Sequence, residues 1–578
     1  MEITDVSMTT VTMAARSATK KVINSPETCV DDNLRGVVAV YPALRLHPKH
    51  RVITLRAKTD SGRVAILGGG GSGHEPFAGG LVGRGMIDGA VAGGIFASPP
   101  TGHVLYGIAQ LYKYNSGGVL VIIGNYTGDR LNFGKAIEKA KIAGIKVEGL
   151  IVGEDVASSH NKTGGRSMVG EVIFYKLCGA MALKGYDLAT IKSNAAEANK
   201  YMATLGVCLS ACSLPGQPAL FEIADDEMEL GAGVHGEAGI KKMKLGTAKE
   251  VVKIILDQIL DHLKLKAGDR VAVTVDNLGG TSYLEMNIVS AEAKDYFESR
   301  GIRVERVFAG HLKTSLEMHA FQICVLHLNK THGDMWLELL DAPTGALGWT
   351  GGEASKRGED VHGDDETLLQ TDGLKLTSGP SLTIEQQDIL RGCLTAAANQ
   401  LVRSEDLLNK LDSAILSYLE TASLEYPSNV LWQLSEIAET DMGGTSGGIY
   451  SLGLSAASQA LASATTNEPS AWLSAWERGM QAITKYGGAE AGDRTMLDTL
   501  HTAAATFRSN LNQDLGDLMR KTSSSAEAGC RATAAMTAKA GRASYVASGY
   551  VHDEDAGARA AAIWLQAVLD FIAEVCKV

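Results

Sequence analysis

Short runs of β-branched residues alternate with helical patterns from about residue 20 to about residue 340. Each run ends in a glycine-rich or polar loop, and the runs occupy residues 63–67, 119–123, 147–152, 271–275 and 303–308. Such alternation is typical of an α/β domain with a largely buried sheet. Ligands of these folds bind at the loops that leave the strand ends, so we expect the functional residues there.

The pattern changes beyond this domain. Residues 343–382 are rich in Gly, Ser, Thr, Asp and Glu with little periodicity, which indicates a linker. The Ala-rich remainder, residues 383–578, places aliphatic residues at helical spacing and predicts an all-α domain. We therefore predict a loose extension over residues 1–20, an α/β domain over 21–342, the linker, and the helical domain.

Composition narrows the class of protein. A length of 578 residues suits two or three domains, and a net charge of −12 gives no general basic surface for nucleic acid or an anionic membrane. The 8 cysteines form no C-x-x-C pair, which favours a reducing compartment over a disulfide framework or a zinc site. Residues 117–123 are too short to span a bilayer, and polar residues interrupt 560–575. We expect a cytoplasmic protein without a membrane span.

The first strand is followed by a glycine-rich loop, Gly68-Gly-Gly-Gly-Ser-Gly-His-Glu-Pro76. Its backbone N–H groups are uncovered, which suits a ligand rich in hydroxyl or carbonyl groups. A flexible strand-to-helix turn is the alternative, but the adjoining His74 and Glu75 favour a binding loop. The loop is neither a dinucleotide-binding motif nor a Walker A motif, because no Lys-Ser or Lys-Thr follows.

A second loop leaves the strand at residues 119–123 as Gly124-Asn-Tyr-Thr-Gly-Asp-Arg-Leu-Asn-Phe133. Asp129 could act there as a general base on a hydroxyl. Equally, Asp129 could cap a helix that begins near Leu131 and pair with Arg130. Spacing alone leaves both interpretations open.

A third segment, Glu229-Leu-Gly-Ala-Gly-Val-His-Gly-Glu-Ala-Gly239, places a histidine between glycines. A neutral imidazole is a competent nucleophile towards a ketone carbon. A single histidine is more often structural, but the flanking glycines and Glu237 favour a functional site around His235.

Four strings of the first domain occur together: Gly-Gly-Gly-Ser-Gly-His-Glu-Pro (69–76), Asn-Tyr-Thr-Gly-Asp-Arg-Leu-Asn-Phe (125–133), His-Gly-Glu-Ala-Gly (235–239) and Asp-Asn-Leu-Gly-Gly (276–280). In this order they resemble the kinase domain of the dihydroxyacetone kinases. The resemblance implies that the ligand carbonyl is captured as a hemiaminal on His235. It also implies that His74 and Asp129 move protons, and that Gly71, Ser72, Gly73 and His74 bind the ligand oxygens.

Covalent capture would select ketones and aldehydes over polyols such as glycerol, which have no carbonyl group. One position departs from the family pattern. Many members have lysine before Asn-Tyr-Thr-Gly, whereas this chain has Gly124, so one ligand contact is in question.

The helical half resembles the family's eight-helix ATP domain. The resembling segments are 442–447, 486–498, 541–545 and 555–558. They imply ATP contacts at the following residues: Gly443, Gly444, Thr445, Ser446, Gly492, Arg494, Thr495, Asp555, Ala556 and Gly557. Without the resemblance, Gly443-Gly444 reads as an ordinary helix break and Arg494 as an ordinary surface cation.

The family carries three aspartates that bind two Mg²⁺ ions, the first in a Leu-Asp pair and two in a Gly-Asp-Gly-Asp loop. Leu411-Asp412 is present here, but the Gly-Asp-Gly-Asp loop is absent, which leaves an incomplete metal site at Asp412. Phosphoryl transfer depends on metal ions held in this way. If the protein really lacks the loop, its kinase activity should be severely weakened. A splice or gene-model artefact explains the gap equally well.

The leading hypothesis is an ATP- and Mg²⁺-dependent kinase of dihydroxyacetone and D-glyceraldehyde. The resemblance implies a homodimer, since one subunit's helical domain can serve the other's sugar site. One alternative is cleavage of FAD to cyclic FMN and AMP with Mn²⁺, as in animal members. Another is a non-catalytic triose-binding protein that retains His235.

Overall fold

The computed structural model describes residues 18–56, 62–159, 162, 164–237, 239–351, 377–402, 423–442, 444–540 and 553–576. The chain divides into two compact units, Met1–Val361 and His362–Val578. The first unit contains both sheets and helices, and the described secondary-structure elements of the second are helices. This confirms the predicted combination of an α/β and an all-α domain.

The first sheet follows helix α1 (Cys29–Val40). Its strands are β1 (Leu44–His47), β2 (Val52–Leu55), β3 (Val64–Ser72), β4 (Gly89–Ile95), β5 (Gly118–Gly124) and β6 (Val147–Val152). They lie in the order β1-β2-β4-β3-β5-β6, with β3 to β6 parallel and β1 and β2 antiparallel at one edge. Helices α2 (Thr101–Tyr112) and α3 (Thr127–Ile142) provide the crossovers that parallel pairing requires.

The second sheet follows helices α4 (Gly170–Leu183) and α5 (Leu188–Ala198). Its strands are β7 (Met202–Ser210), β8 (Glu227–Leu230), β9 (Lys241–Lys244), β10 (Arg270–Asn277), β11 (Arg303–Gly310) and β12 (His319–His327). They lie in the order β11-β10-β12-β7-β8-β9, in which only the β10–β11 pair is parallel. Helices α6 (Ala248–Leu263), α7 (Tyr283–Glu298) and α8 (Gly333–Asp341) complete the unit.

Helix α4 is buried on almost every side, from Gly170 to Ala182. One hydrophobic cluster joins it to residues of both sheets, among them Ile122 of β5 and Leu326 of β12. The opposite face of the first sheet packs on α2 and α3, and that of the second packs on α6 and α7. A helix with no exposed face is mostly hydrophobic, and the charged residues that α4 buries, Glu171 and Lys176, have hydrogen-bond partners in the protein.

Each predicted strand is present in the structure, but the predicted single sheet is two sheets. The strands that the sequence did not reveal are short or poor in β-branched runs. In β4, for example, the sequence Gly-Ala-Val-Ala-Gly-Gly-Ile carries three glycines and two alanines, residues that are depleted in strands. Its place is fixed by pairing with β2 and β3 rather than by intrinsic propensity.

The described helices of the second unit are α9 (Ile384–Val402), α10 (Pro427–Ile437), α11 (Gly444–Ala462), α12 (Pro469–Gly487), α13 (Met496–Ser509), α14 (Leu515–Ala532) and α15 (Ala556–Val575). Leu473, Leu500 and Leu565 belong to their shared hydrophobic core. An apolar cavity of about 640 Å³ lies among these helices. Leu408, Leu411 and Ile415, which belong to the aliphatic residues at helical spacing in the sequence, lie outside the described residues.

Parts of the predicted linker pack against the two units. Gly345 N–H donates to the Arg84 carbonyl group over 2.9 Å, and the Trp349 ring lies 5.0 Å from that of Phe308. At the other end, Leu382 N–H donates to the Glu425 carbonyl group over 2.7 Å. The described ends of this segment therefore belong to the units that they adjoin.

Helix α15 is, of the described helices, the one long and apolar enough by length and composition to cross a membrane. One of its faces carries Ala561, Leu565, Leu569 and Ala573, all of which are buried in the core of the helical unit. This spacing is that of an amphipathic helix packed in a protein core.

Candidate active site

Residues 68–72 of the predicted glycine-rich loop belong to β3, and this glycine-rich segment approaches its neighbours too closely for side chains. A Cβ atom at Gly71 would lie 2.8 Å from the backbone nitrogen of Ala97. Gly73 has φ +97°, which glycine adopts without strain. Ser72 donates its hydroxyl hydrogen to the Gly93 carbonyl group over 2.9 Å, so this hydrogen is engaged within the protein.

His74 ends this loop and is 1% exposed. Its Nδ1 lies 2.7 Å from the Thr314 carbonyl oxygen, so Nδ1 carries the hydrogen and Nε2 carries the lone pair. Nε2 is buried without a protein partner. Burial, together with the nearby His235 and Lys313, holds the pKa of His74 well below its usual range. His74 is therefore neutral and offers a hydrogen-bond acceptor to a ligand.

Asp129 lies in the first turn of α3, and it is 7% exposed. The helix begins at Thr127, not near Leu131, and Tyr126 occupies the N-cap position, so Asp129 does not cap this helix. Its Oδ1 atom is buried without a hydrogen-bond partner. Burial raises the pKa of Asp129 to about 6, although a hydrogen bond from Ser98 opposes the shift. Such a carboxylate is a suitable general base near neutral pH.

His235 lies in the loop after β8, where Glu237 orients it. Nδ1 of His235 lies 3.5 Å from Glu237 Oε1, and the backbone N–H of His235 donates to Glu237 Oε2 over 2.9 Å. Burial by itself raises the pKa of Glu237, but the hydrogen bond and charge of His235 outweigh it and lower this pKa to about 2. An ionised Glu237 holds the hydrogen on Nδ1 and leaves the lone pair on Nε2.

The structure brings the three predicted segments together. The rings of His74 and His235 meet edge to face with centroids 4.8 Å apart. The Tyr126 ring, from the segment that carries Asp129, lies 4.5 Å from the ring of His235. Phe96 stacks on His74 with centroids 5.0 Å apart. Two polar atoms of these segments, His74 Nε2 and Asp129 Oδ1, are buried without a hydrogen-bond partner in the protein.

A separate cavity of about 440 Å³ borders the glycine-rich loop from the side of α1. Gly71, Ser72 and Glu75 line it together with Asn33 and Val37. His74, Asp129 and His235 do not line this cavity. We place the candidate site at the histidines, because His74 Nε2 and Asp129 Oδ1 are buried there without partners and the segment of His235 meets them.

The sequence did not reveal Ser98, Thr314 or Lys313 as members of this site. Ser98 lies in the loop after β4. Loops after strand ends are where the functional residues of such folds are found. Thr314 and Lys313 lie in the loop after β11, and only the packing of the second sheet against the first brings them to His74. A pair separated by 240 positions leaves no local signal.

In the helical unit, several of the predicted ATP-binding residues come together. Gly492 N–H and Thr495 N–H both donate to the Asp498 carboxylate, and Thr495 caps α13. Arg494 is 4% exposed and donates through Nη2 to the Asp553 carbonyl group over 2.6 Å, so it is not a surface cation. Its Nε atom is buried without a partner.

Asp555 caps α15 by accepting from Ala558 N–H over 2.9 Å, and Ala556 and Gly557 form the first turn of that helix. Its other oxygen lies 3.8 Å from Arg494 Nη1. Gly444, Thr445 and Ser446 begin α11, where Thr445 and Ser446 are exposed. Gly443 and the predicted metal ligand Asp412 lie outside the described residues.

No group of three or more His, Cys, Asp and Glu side chains that could hold a metal ion occurs in the described part of the chain. The free cysteines there are mostly buried, including Cys178, Cys208 and Cys324.

The chain is similar to known proteins over both units. The Dak1 domain matches residues 35–347, and the DAK2 domain matches residues 408–570. The chain is 39% identical over 583 residues to the triokinase/FMN cyclase of Mus musculus, with 96% of this chain and 99% of the relative covered. It is 32% identical over 563 residues to dihydroxyacetone kinase 1 of Saccharomyces cerevisiae, with coverage of 89% and 94%.

The crystal structure of the dihydroxyacetone kinase from C. freundii in complex with AMP-PNP and Mg²⁺ has a TM-score of 0.66 at 27% identity. The match covers 96% of this chain and 100% of that chain. Fold and site thus define a protein with a Dak1 and a DAK2 domain. The chain belongs to the dihydroxyacetone kinase family, which confirms the resemblance seen in the sequence.

Proposed function

We propose that the chain phosphorylates dihydroxyacetone, and also D-glyceraldehyde, with ATP, while His235 holds the triose as a hemiaminal. The observation that carries this proposal is the pairing of an oriented imidazole with two unpartnered buried atoms, His74 Nε2 and Asp129 Oδ1. A ligand with one carbonyl and two hydroxyl groups offers a partner to each of them.

Capture begins with the lone pair on Nε2 of His235. It forms a bond to the carbonyl carbon while the π bond of the carbonyl group breaks, which leaves negative charge on the oxygen and positive charge on the ring. The oxygen then takes a proton from solvent. The ionised Glu237 beside Nδ1 stabilises the positive ring.

Phosphoryl transfer then uses Asp129. As a terminal hydroxyl oxygen of the captured triose attacks the γ-phosphorus of ATP, Asp129 accepts its proton and ADP leaves. His74 Nε2 accepts a hydrogen bond from another ligand hydroxyl and orients the sugar. Backbone atoms of Gly71, Ser72 and Gly73 would bind ligand oxygens at the same loop.

In the helical unit, ATP would contact the segments at Gly443 to Ser446, at Gly492 to Thr495, and at Asp555 to Gly557. The AMP-PNP and Mg²⁺ bound by the C. freundii enzyme support this choice of nucleotide and metal. Mg²⁺ supplies charge neutralisation at the phosphate oxygens. The partnerless Nε of the buried Arg494 suits an anionic ligand.

The direct test is release of ADP by the purified chain with dihydroxyacetone and Mg²⁺ or Mn²⁺, with glycerol in place of the triose as the control. We expect release with the triose and none above background with glycerol. Turnover that is independent of the triose, or none with either metal, would defeat the kinase proposal. A triose adduct on His235 without turnover would favour the non-catalytic binding protein.

A second candidate is FAD cleavage to cyclic FMN and AMP by the helical unit with Mn²⁺. The name of the Mus musculus relative, triokinase/FMN cyclase, and its near full-length match favour it. Loss of FAD with Mn²⁺ in the absence of any triose would establish this activity. If FAD is retained while ADP is released with a triose, the chain has the kinase activity and lacks the FAD-cleaving activity.

We further expect a cytoplasmic homodimer. Light scattering on the purified chain should give twice the mass of 60.9 kDa. A mass that stays at one chain over the working concentration range would contradict the dimer.

A further inference from the structure

Arg166 lies between β6 and α4, and its guanidinium group reaches two other segments of the first unit. Nε of Arg166 donates to Asp155 Oδ2 over 2.7 Å, and Nη2 donates to the Gly231 carbonyl oxygen over 2.8 Å. The Asp155 side chain is 1% exposed and also accepts from Ala157 N–H and the Ser158 hydroxyl group. A buried carboxylate therefore fixes one side of the guanidinium group, and the other side holds the loop that follows β8.

That loop carries His235, and Gly231 is its first residue after the strand. Gly231 N–H donates to the Gly206 carbonyl oxygen of β7 over 2.7 Å, so both backbone polar groups of Gly231 are held. Farther along, Gly233 N–H donates to the Glu237 carbonyl oxygen over 3.2 Å and closes the turn in which His235 lies. The contact from the guanidinium group thus fixes the start of the loop that positions this imidazole.

Gly233 shows how near Arg166 comes to Glu237. A Cβ atom at Gly233 would collide with Glu237 Oε2 and would lie 2.6 Å from Arg166 Nη1. Because both atoms lie next to the same point, the carboxylate and the guanidinium group are no more than about 5 Å apart, a separation at which opposite charges stabilise each other. Glycine leaves this space open for the two side chains.

Glu237 in turn acts on His235 directly. Its Oε2 accepts from the backbone N–H of His235, and its Oε1 lies 3.5 Å from Nδ1. The Glu237 side chain is 41% exposed, so a fixed cation on its protein side opposes its rotation towards water. Burial raises the pKa of Glu237, but the hydrogen bond and charge of His235 and, more weakly, the charge of Arg166 lower it.

We propose that Arg166 is a positioning residue, which holds the Glu237 carboxylate beside Nδ1 of His235 and so keeps the lone pair of the imidazole on Nε2. The inference rests on the proposed capture of the triose by His235. If the carboxylate leaves Nδ1, the ring hydrogen is free to move to Nε2, and a nitrogen that carries hydrogen in this way cannot attack a carbonyl carbon.

The first measurement is the tautomer of His235 in the chain without triose, at a pH at which the imidazole is neutral. ¹⁵N NMR with labelled histidine distinguishes a ring nitrogen that carries hydrogen from one that carries the lone pair, and His235→Asn identifies the signals. We expect hydrogen on Nδ1 in the parent chain and a mixture of tautomers in Arg166→Gln. Arg35→Gln, at an arginine whose side chain is 74% exposed, is the matched control and should leave the signals unchanged.

Two results of this measurement would overturn the inference. One is an unchanged distribution between the tautomers in Arg166→Gln, because Arg166 then has no influence on the ring of His235. The other is hydrogen on Nε2 in the parent chain, because the imidazole then lacks the lone pair that Arg166 is proposed to keep there.

The second measurement is a double-mutant cycle on kcat/KM for dihydroxyacetone, since a general loss of structure would lower activity in any background. We expect Arg166→Gln to lower kcat/KM by roughly tenfold in the parent chain and by less than about twofold in Glu237→Gln, where no carboxylate remains to be held. Equal losses in the two backgrounds would show that Arg166 acts on the fold and not through Glu237, and would overturn the inference.

Arg166→Gln leaves the buried Asp155 without its cation, which is destabilising. If this variant fails to fold, Asp155→Asn/Arg166→Gln takes its place, because no buried carboxylate then loses its cation. It is judged by the same criteria with Asp155→Asn as its reference. ADP release by the parent chain tests the kinase function, whereas the tautomer is measured without triose or ATP, so failure of the kinase proposal and failure of the role of Arg166 are distinguishable.

Discussion

His74 and His235 meet edge to face, with ring centroids 4.8 Å apart and ring planes at 83°. The Thr314 carbonyl group fixes Nδ1 of the first ring, and the Glu237 carboxylate lies beside Nδ1 of the second. Both rings therefore keep a lone pair on Nε2. Their environments separate their roles, because burial leaves His74 neutral as an acceptor whereas Glu237 supports positive charge on His235.

The raised pKa of Asp129 predicts an acidic limit to activity. Below about pH 6 the carboxyl group holds its proton and cannot accept one, so activity is lost as the pH falls through this value. We expect kcat/KM for dihydroxyacetone to rise tenfold per pH unit below about 6 and then level off. Asp129→Asn should lower kcat by roughly 10²- to 10⁴-fold. Asp295→Asn, at an exposed position, is the control, and an equal loss there would contradict the assignment.

Removing the charge of Glu237 should weaken capture of the triose. Glu237→Gln keeps the shape of the side chain but no longer balances positive charge on the ring of His235. We expect kcat/KM to fall by about tenfold or more, or ~1.4 kcal/mol of transition-state stabilisation. Steady-state kinetics measure this, and unchanged kcat/KM would show that the 3.5 Å approach of Glu237 to Nδ1 has no functional role.

Some elements of the fold and of the candidate site could be predicted from the sequence, and others could not. The strands at residues 63–67 and 119–123 were predicted because buried strands carry continuous apolar runs. The structure extends the first of them, β3, through the glycine-rich segment to Ser72, and His74 and Asp129 follow the ends of β3 and β5. The sequence left open whether Asp129 caps a helix or acts as a base, and the helix start at Thr127 excludes capping. Local patterns do not report contacts such as that of Thr314 with His74, which depends on the packing of two sheets.

In the helical unit, the burial of Arg494 was likewise not predictable from the local sequence. An arginine in a glycine-rich loop looks exposed, yet its left-handed backbone, with φ +62°, and its bond to Asp553 bury it. Neither the backbone conformation nor a partner 59 positions away can be read from the local sequence.

Loss of Arg494 should impair nucleotide use while sparing triose capture. Arg494→Gln removes a buried cation from the predicted ATP-binding segments, and we expect kcat to fall by roughly a hundredfold or more. The adduct on His235 should persist, because it forms in the first unit. Arg520→Gln, at an exposed arginine of α14, is the control. If Arg494→Gln also loses the triose adduct on His235, the first unit does not capture the triose independently of the nucleotide site in the helical unit.

Gly69 should be irreplaceable for stability. Its φ is +148°, and an added Cβ atom would collide with the Val91 carbonyl oxygen of β4. Gly268→Ala is the matched control, because Gly268 has φ +89° but open space around it. We expect the free energy of unfolding to fall by about 1 kcal/mol in the control and by roughly 3 kcal/mol or more in Gly69→Ala. If denaturant unfolding gives equal losses of unfolding free energy for the two variants, the structure around Gly69 accommodates the added Cβ atom.

The central claim is the bond between His235 Nε2 and the carbonyl carbon of the triose. ¹³C NMR of dihydroxyacetone labelled at its carbonyl carbon, with the parent chain in excess, tests it directly. The account predicts a protein-bound signal in the range of tetrahedral carbon that is distinct from the free hydrate and absent in His235→Asn. A bound ligand whose labelled carbon stays in the ketone range, or an adduct that survives in His235→Asn, would contradict it.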